Sequence, residues 1–157
     1  MSYNNFLKAL ELSKECNGYE ILGNVKETKI REAEKILSIS FSRQHFDYYK
    51  KIGLLSYYGS EFYGLSNREL TGLPGSNSVL LALTERKETS LPHEWIPIYF
   101  LDGGYNAYLD YSNLNENEEP RIISAYYNGN NYIVNEILAE DLGDFILTMV
   151  KEQLANQ

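Results

Sequence analysis

The 157-residue chain has one cysteine, Cys16, and two histidines, His45 and His93. A lone cysteine excludes an intramolecular disulfide and a cysteine-based metal cluster, and it fits a reducing compartment. Neither histidine belongs to an HExxH or H-x₃₋₅-H pattern, so no metal site is expected. Both read as structural, His45 on a helix beside Phe46 and His93 in a turn between Pro92 and Glu94. No run approaches the roughly 18 apolar residues that a membrane-spanning helix needs. The N-terminal stretch lacks a basic segment followed by an apolar core, so it does not read as a secretory signal. The cytoplasm is the expected address.

Signatures of catalysis are missing as well. There is no GxSxG elbow, no Ser-x-x-Lys, and no GxGxxG or GxxxxGK phosphate loop. Cys16, at a helix end, reads as a half-buried structural thiol rather than a nucleophile. The acidic run Glu116-Asn-Glu-Glu119 lacks the spacing of a calcium loop and reads as a solvated surface. No enzymatic activity and no cofactor are therefore expected. Cations are in the minority, 14 Lys and Arg against 22 Asp and Glu, for a net charge of −8. A nucleic-acid ligand calls for a basic patch, so nucleic acid is not expected as a direct partner.

What the chain does have is tyrosine, 14 of them, within a hydrophobic fraction of 43%. Its length suffices for one domain with its own core, and its mean hydropathy of −0.39 is that of a soluble protein. A tyrosine can bury its ring while its hydroxyl reaches water, which suits a half-exposed sheet or a contact surface. Acidity suits a basic protein partner, because complementary fields speed association. Solubility alone would account for the same balance.

Periodicity predicts helices over residues 2–16, 25–37 and 42–52. Asn24 with Glu27 resembles a capping box for the second, and Ser42 caps the third, whose inner stripe is read as Phe46, Tyr49 and Ile52 or Gly53. Residues 54–65 read as strand with bends at Gly59 and Gly64, and residues 66–78 as a surface loop. Residues 79–88 fit a short helix capped by Ser76 or Asn77, with a strand as the alternative. The centre of the chain is residues 91–111, two strands around Asp102-Gly103-Gly104. Ile96, Ile98 and Phe100 alternate on one, and Tyr105, Ala107, Leu109 and Tyr111 on the other. A polar loop over 112–120 leads to a second hairpin, 121–127 and 132–137, around Asn128-Gly129. A final amphipathic helix covers 139–154. Helices at both ends with hairpins between them give an α+β single domain, with an antiparallel meander rather than a doubly wound sheet.

Several stretches in this order resemble one family. Ile30-Arg-Glu-Ala-Glu34-Lys-Ile-Leu37 with Tyr48-Tyr49 is similar to the opening helices of the SUKH superfamily, the Smi/Knr-type domain. Glu61-Phe-Tyr-Gly-Leu65 is similar to its following strand. Leu91-Pro92 through Ile98, Asp102-Gly103-Gly104 and Leu109-Asp110 resemble its central hairpin, and Phe145 the aromatic of its last helix. The resemblance spans roughly residues 25–150. The chain departs from the family at Phe41-Ser42, where a Leu-Pro is usual, and at Gly53-Leu-Leu, where an Asn-Gly-Gly is usual.

The resemblance implies an immunity protein that neutralises a cognate secreted toxin, often a nuclease domain, by direct binding and without catalytic residues. On that expectation Asp102, Asp110, Glu116, Glu118 and Glu119 would steer and contact a basic toxin domain. Trp95, Tyr105 and Tyr108 would be aromatic anchors, unless their rings are spent on packing. A regulatory scaffold and a small-molecule-binding domain with a tyrosine-lined cleft are the alternative functions. Oligomeric state stays open between monomer and homodimer.

Overall fold

In a computed structural model, which describes residues 2–157, the chain runs α1 (Ser2–Ser13), β1 (Glu20–Ile21), α2 (Glu27–Leu37), α3 (Arg43–Lys51), β2 (Leu55–Tyr57) and β3 (Ser60–Glu61). It continues through α4 (Ser78–Thr89), β4 (Trp95–Phe100), β5 (Asn106–Leu114), β6 (Pro120–Tyr127), β7 (Tyr132–Ala139) and α5 (Leu142–Asn156). Two antiparallel sheets form, a small one in the order β1-β2-β3 and a larger meander in the order β4-β5-β6-β7. They are stitched where Phe62 bridges Tyr99 and the Tyr63 N–H donates to the Ile98 carbonyl at 2.8 Å. The α+β class, the meander and the terminal helices agree with the sequence reading, and α1 packs directly on α5.

The caps explain where helices begin. Ser42 Oγ accepts from the His45 N–H, Asn77 Oδ1 accepts from the Val79 and Leu80 N–H groups, and Asp141 Oδ1 from the Asp144 N–H. Asn77 thus resolves residues 79–88 as helix. The second helix departs from expectation. Its cap position is Lys26, whose N–H donates to the side chain of Asn67, and that same side chain ties back to the Asn24 carbonyl. A loop residue 41 positions away does what the capping box was expected to do.

The inner stripe of α3 also differs. Gln44, His45, Tyr48 and Tyr49 are buried, whereas Phe46 is half-buried beneath the Arg31 guanidinium. His45 is fully enclosed between the rings of Phe41 and Tyr49, and burial pushes its pKa down to about 3. In the central hairpin a register shift between Pro97 and Tyr99 breaks strict alternation. Phe100 is thereby turned outward, 56% exposed, while Ile96 and Ile98 stay inside. Gly103 and Gly104 both have positive φ, which the connection between Phe100 and Asn106 requires.

One core runs through the whole domain. Phe6, Ile30, Leu37, Tyr48, Leu55, Phe62, Ile96, Leu109, Ile122 and Ile146 all belong to it. Helix α5 lies across the meander with Phe145 edge-on to Phe62 and Tyr99. Its two ends therefore open onto different surroundings, a polar one at Asp141 and an aromatic one at Met149 and Glu152.

Candidate functional site

The expected anchors of the hairpin are inside the protein. Trp95 and Tyr108 are 8% and 2% exposed, with ring centroids 5.4 Å apart, and both rings meet Tyr132. The Tyr108 and Tyr132 hydroxyls donate to Glu85 Oε1 at 2.7 and 2.9 Å, which fastens α4 to the sheet. Burial holds the Glu85 carboxyl above its usual range. Tyr105 is half-buried, edge-on to Tyr126.

The five expected acids divide. Asp102, Glu116 and Glu118 are exposed. Asp110 is turned inward, accepting from Arg121 Nε at 2.9 Å, from the Ser112 N–H and hydroxyl, and from Asn113 Nδ2 at 3.0 Å. Burial alone would raise its pKa, but these bonds outweigh burial and hold it below the ordinary value. Glu119 departs from the solvated loop expected of it. It is 4% exposed, and one of its oxygens accepts from the Gln44 N–H at the start of α3 while the other has no partner. Burial lifts its pKa.

Glu119 belongs to a buried polar junction where α1, α3 and α5 begin. Asp141 caps α5 and accepts from the Ser2 hydroxyl. Gln44 links all three helices, since its Nε2 donates to Ser2 Oγ at 2.6 Å and its Oε1 accepts from the Gly143 N–H at 2.7 Å. Orphan N–H groups at helix starts favour carboxylates, so these acids are held by structure. Above the junction a groove of about 510 Å³ is lined by Asn4, Asn5, Glu116, Glu140, Asp144 and neighbouring polar residues.

A second concave surface lies at the other end of α5. This cleft, about 850 Å³, is bounded by the β2–β3 turn, the end of β4 with the turn that follows, and Met149 and Glu152 of α5. It gathers the carboxylates of Glu20, Glu61, Asp102 and Glu152 with the aromatic rings of Tyr57, Tyr58, Tyr63, Tyr99 and Phe100. Among the described residues, neither the groove nor the cleft is lined by a Lys or an Arg. Of the expected contact residues the cleft contains Asp102 and the groove Glu116. Glu20, Tyr58, Glu61 and Glu152 are not among the expected contact residues, because three separate segments, β1, the β2–β3 hairpin and α5, bring them together. Only the Tyr57-Tyr58-Gly59 turn carried a usable signal, two aromatics beside a bend.

Charge is distributed unevenly along the chain. Beyond residue 87 lie 12 of the 22 carboxylates but only two of the 14 cations, Arg121 and Lys151. The meander, its loops and α5 are therefore the acidic part of the domain. Among the described residues, no group of three or more His, Cys, Asp or Glu side chains is arranged to hold a metal ion, and no helix is long and apolar enough to cross a membrane.

The chain matches the family described as SUKH_5, SMI1-KNR4 cell-wall, over residues 3–151. That span takes in α1, which the resemblance over residues 25–150 left out, and most of α5. No curated protein matches the chain. The order of helices, hairpins and terminal helix is thus that of a known domain, and the chain belongs to the SUKH_5, SMI1-KNR4 cell-wall, family.

Proposed function

We propose that this chain is an immunity protein that neutralises a cognate secreted toxin, a basic nuclease domain, by binding it directly in the cytoplasm. The observation that carries the reading is the pair of acidic concave surfaces at the two ends of α5, both without lining cations. The family supports it, since SUKH proteins include immunity proteins. A nuclease presents cations where its substrate phosphates sit, and a rigid acidic surface complements them without any bond being made or broken. Neutralisation on this reading is occlusion. Asp102, Glu116 and Glu118 are the contact and steering residues, with Tyr105 at the edge of the surface. Trp95, Tyr108, Asp110 and Glu119 are taken up by packing and bonds within the fold.

Co-expression with the toxin encoded beside this gene tests the reading. Survival of the cells is the expected result, and continued death in the presence of abundant folded protein would overturn it. Steering has its own test. Changing Glu116 and Glu118 to Gln should slow association and flatten its dependence on ionic strength. An unchanged rate would remove that loop from the account.

A further inference from the structure

We propose that the cleft between the β2–β3 turn, the end of β4 and the C-terminal half of α5 seats an arginine side chain presented by the protein partner. The proposal rests on the reading of the chain as a binder of a basic toxin domain, and names the chemistry of the contact.

Three features converge on a guanidinium. Tyr57, in the wall of the cleft, is 4% exposed, and its buried hydroxyl has no hydrogen-bond partner. The Ser60 hydroxyl beside it accepts from Tyr99 at 3.0 Å. A buried phenol left unpaired is costly, and an incoming N–H donor would satisfy it. Second, no hydrogen bond or ion pair holds the side-chain carboxylates of Glu20, Asp102 and Glu152 among the described residues. By contrast Glu11, Glu32 and Glu34 on the helices each meet a Lys or Arg. Third, Tyr58 and Phe100 are 73% and 56% exposed. The Tyr58 ring packs against Gly18, so close that a side chain there would run into it.

Flat aromatic faces, several free carboxylates and one buried acceptor match the forked, planar donor set of arginine better than the point charge of lysine. Aromatic side chains, with two χ angles, also lose little conformational freedom on binding.

The test is calorimetric titration of the full chain with the toxin encoded beside its gene. The double variant Asp102→Asn, Glu152→Gln should bind about tenfold more weakly or worse. Tyr57→Phe should also weaken binding about tenfold, while raising the melting temperature of the free chain, because it deletes an unpaired buried hydroxyl. Opposite signs on affinity and stability separate a contact from a packing role. Wild-type affinity in both variants would overturn the proposal and leave the immunity reading standing. If the wild-type chain fails to bind that toxin, the immunity reading fails, and the cleft is judged by NMR titration with the blocked peptides acetyl-Gly-Arg-Gly-amide and acetyl-Gly-Lys-Gly-amide. Shifts confined to Tyr57, Tyr58, Phe100, Asp102 and Glu152, larger with the arginine peptide, support the site. Shifts elsewhere, none at all, or equal shifts from both peptides overturn it.

Discussion

At its first turn, helix α5 meets carboxylates that are buried and bonded; at its last turns it meets carboxylates that are exposed and unpaired. Asp141 and Glu119 at the first end are 2% and 4% exposed, and both accept from backbone N–H groups that start helices. Glu152 and Asp102 at the second end face solvent beside two exposed aromatic rings. The residue type is the same, and only the surroundings decide whether an acid serves the fold or remains free for a partner. Substitutions of the buried acids at the first end should therefore have large effects on stability, and those of the free acids at the second end small ones.

The largest effect is expected at Gly143. A Cβ there would fall 2.7–2.8 Å from the N, Cα and Cβ atoms of Phe6, so α1 and α5 could not keep their approach. Gly143→Ala should cost about 3 kcal/mol, seen as a lower urea midpoint with an unchanged slope. A loss below about 0.5 kcal/mol would mean that the helices separate easily, and the first end would no longer count as rigid.

Asp141→Ala comes next. It removes the α5 cap and strips the Ser2 hydroxyl of its acceptor, for a loss of about 2 kcal/mol. Asp144 stands one turn on with its side chain half-exposed and its Oδ1 accepting from Asn5 Nδ2 at 3.1 Å, so Asp144→Asn, which keeps an acceptor and drops the charge, serves as the control for general charge at the helix start. Equal losses in the two variants would assign the effect to the helix dipole rather than to the buried bonds.

The pH dependence of stability separates the inward acids from each other. The folded chain holds the Glu119 proton more tightly than the ordinary value of 4.5. Glu119 therefore contributes stability that is full below that value and is lost as pH rises through the folded pKa. Glu119→Gln cannot ionise, so its stability relative to wild type should improve as pH rises above about 4.5. Asp110 has the opposite sign. Its pKa lies below the ordinary 3.8, so its contribution is present above that value and is lost as pH falls through the folded one. The deficit of Asp110→Asn should then shrink in acid. Denaturation series carried from well below pH 3.8 up to neutral pH check both slopes, and parallel curves for the two variants would contradict the opposite signs of a tightly bonded acid and a half-bonded one.

Local signals in the sequence reached as far as local physics does. Ser42, Asn77 and the Asn128-Gly129 turn act through neighbours within a few residues, and each ended or began an element where it was expected to. Asn24 failed as a cap because Asn67, which the loop after β3 brings alongside, bonds the Lys26 N–H instead. The Pro97–Tyr99 irregularity that exposes Phe100 leaves no mark in an alternating run of Ile, Pro and aromatic residues. The candidate surface was legible only in part. Asp102 and Glu116 stood out as acids next to turns, and both are exposed. Asp110 and Glu119 looked the same in sequence, but the Arg121 and Gln44 that draw them inward are set by strand register and by the packing of α3. The cleft itself draws on β1, the β2–β3 turn, the β4–β5 turn and α5, and no periodicity connects those segments.

The smallest effect, and the most telling for the contrast, is expected from neutralising the far end of α5. Glu20→Gln, Asp102→Asn and Glu152→Gln together remove three charges from one rim. Among the described residues none of these carboxylates is bonded, so nothing that holds the fold is lost. The chain carries eight surplus negative charges, so removing three relieves some self-repulsion. Stability should stay within about 0.5 kcal/mol of wild type, with any shift on the stabilising side. Raising the salt concentration should shrink that shift, since it arises between exposed charges. A loss of about 2 kcal/mol would show that these acids carry structural bonds after all, and the two ends of α5 would then be alike. A gain that survives high salt would point instead to repulsion inside a dry cleft, which is what a surface built to receive a cation carries while empty.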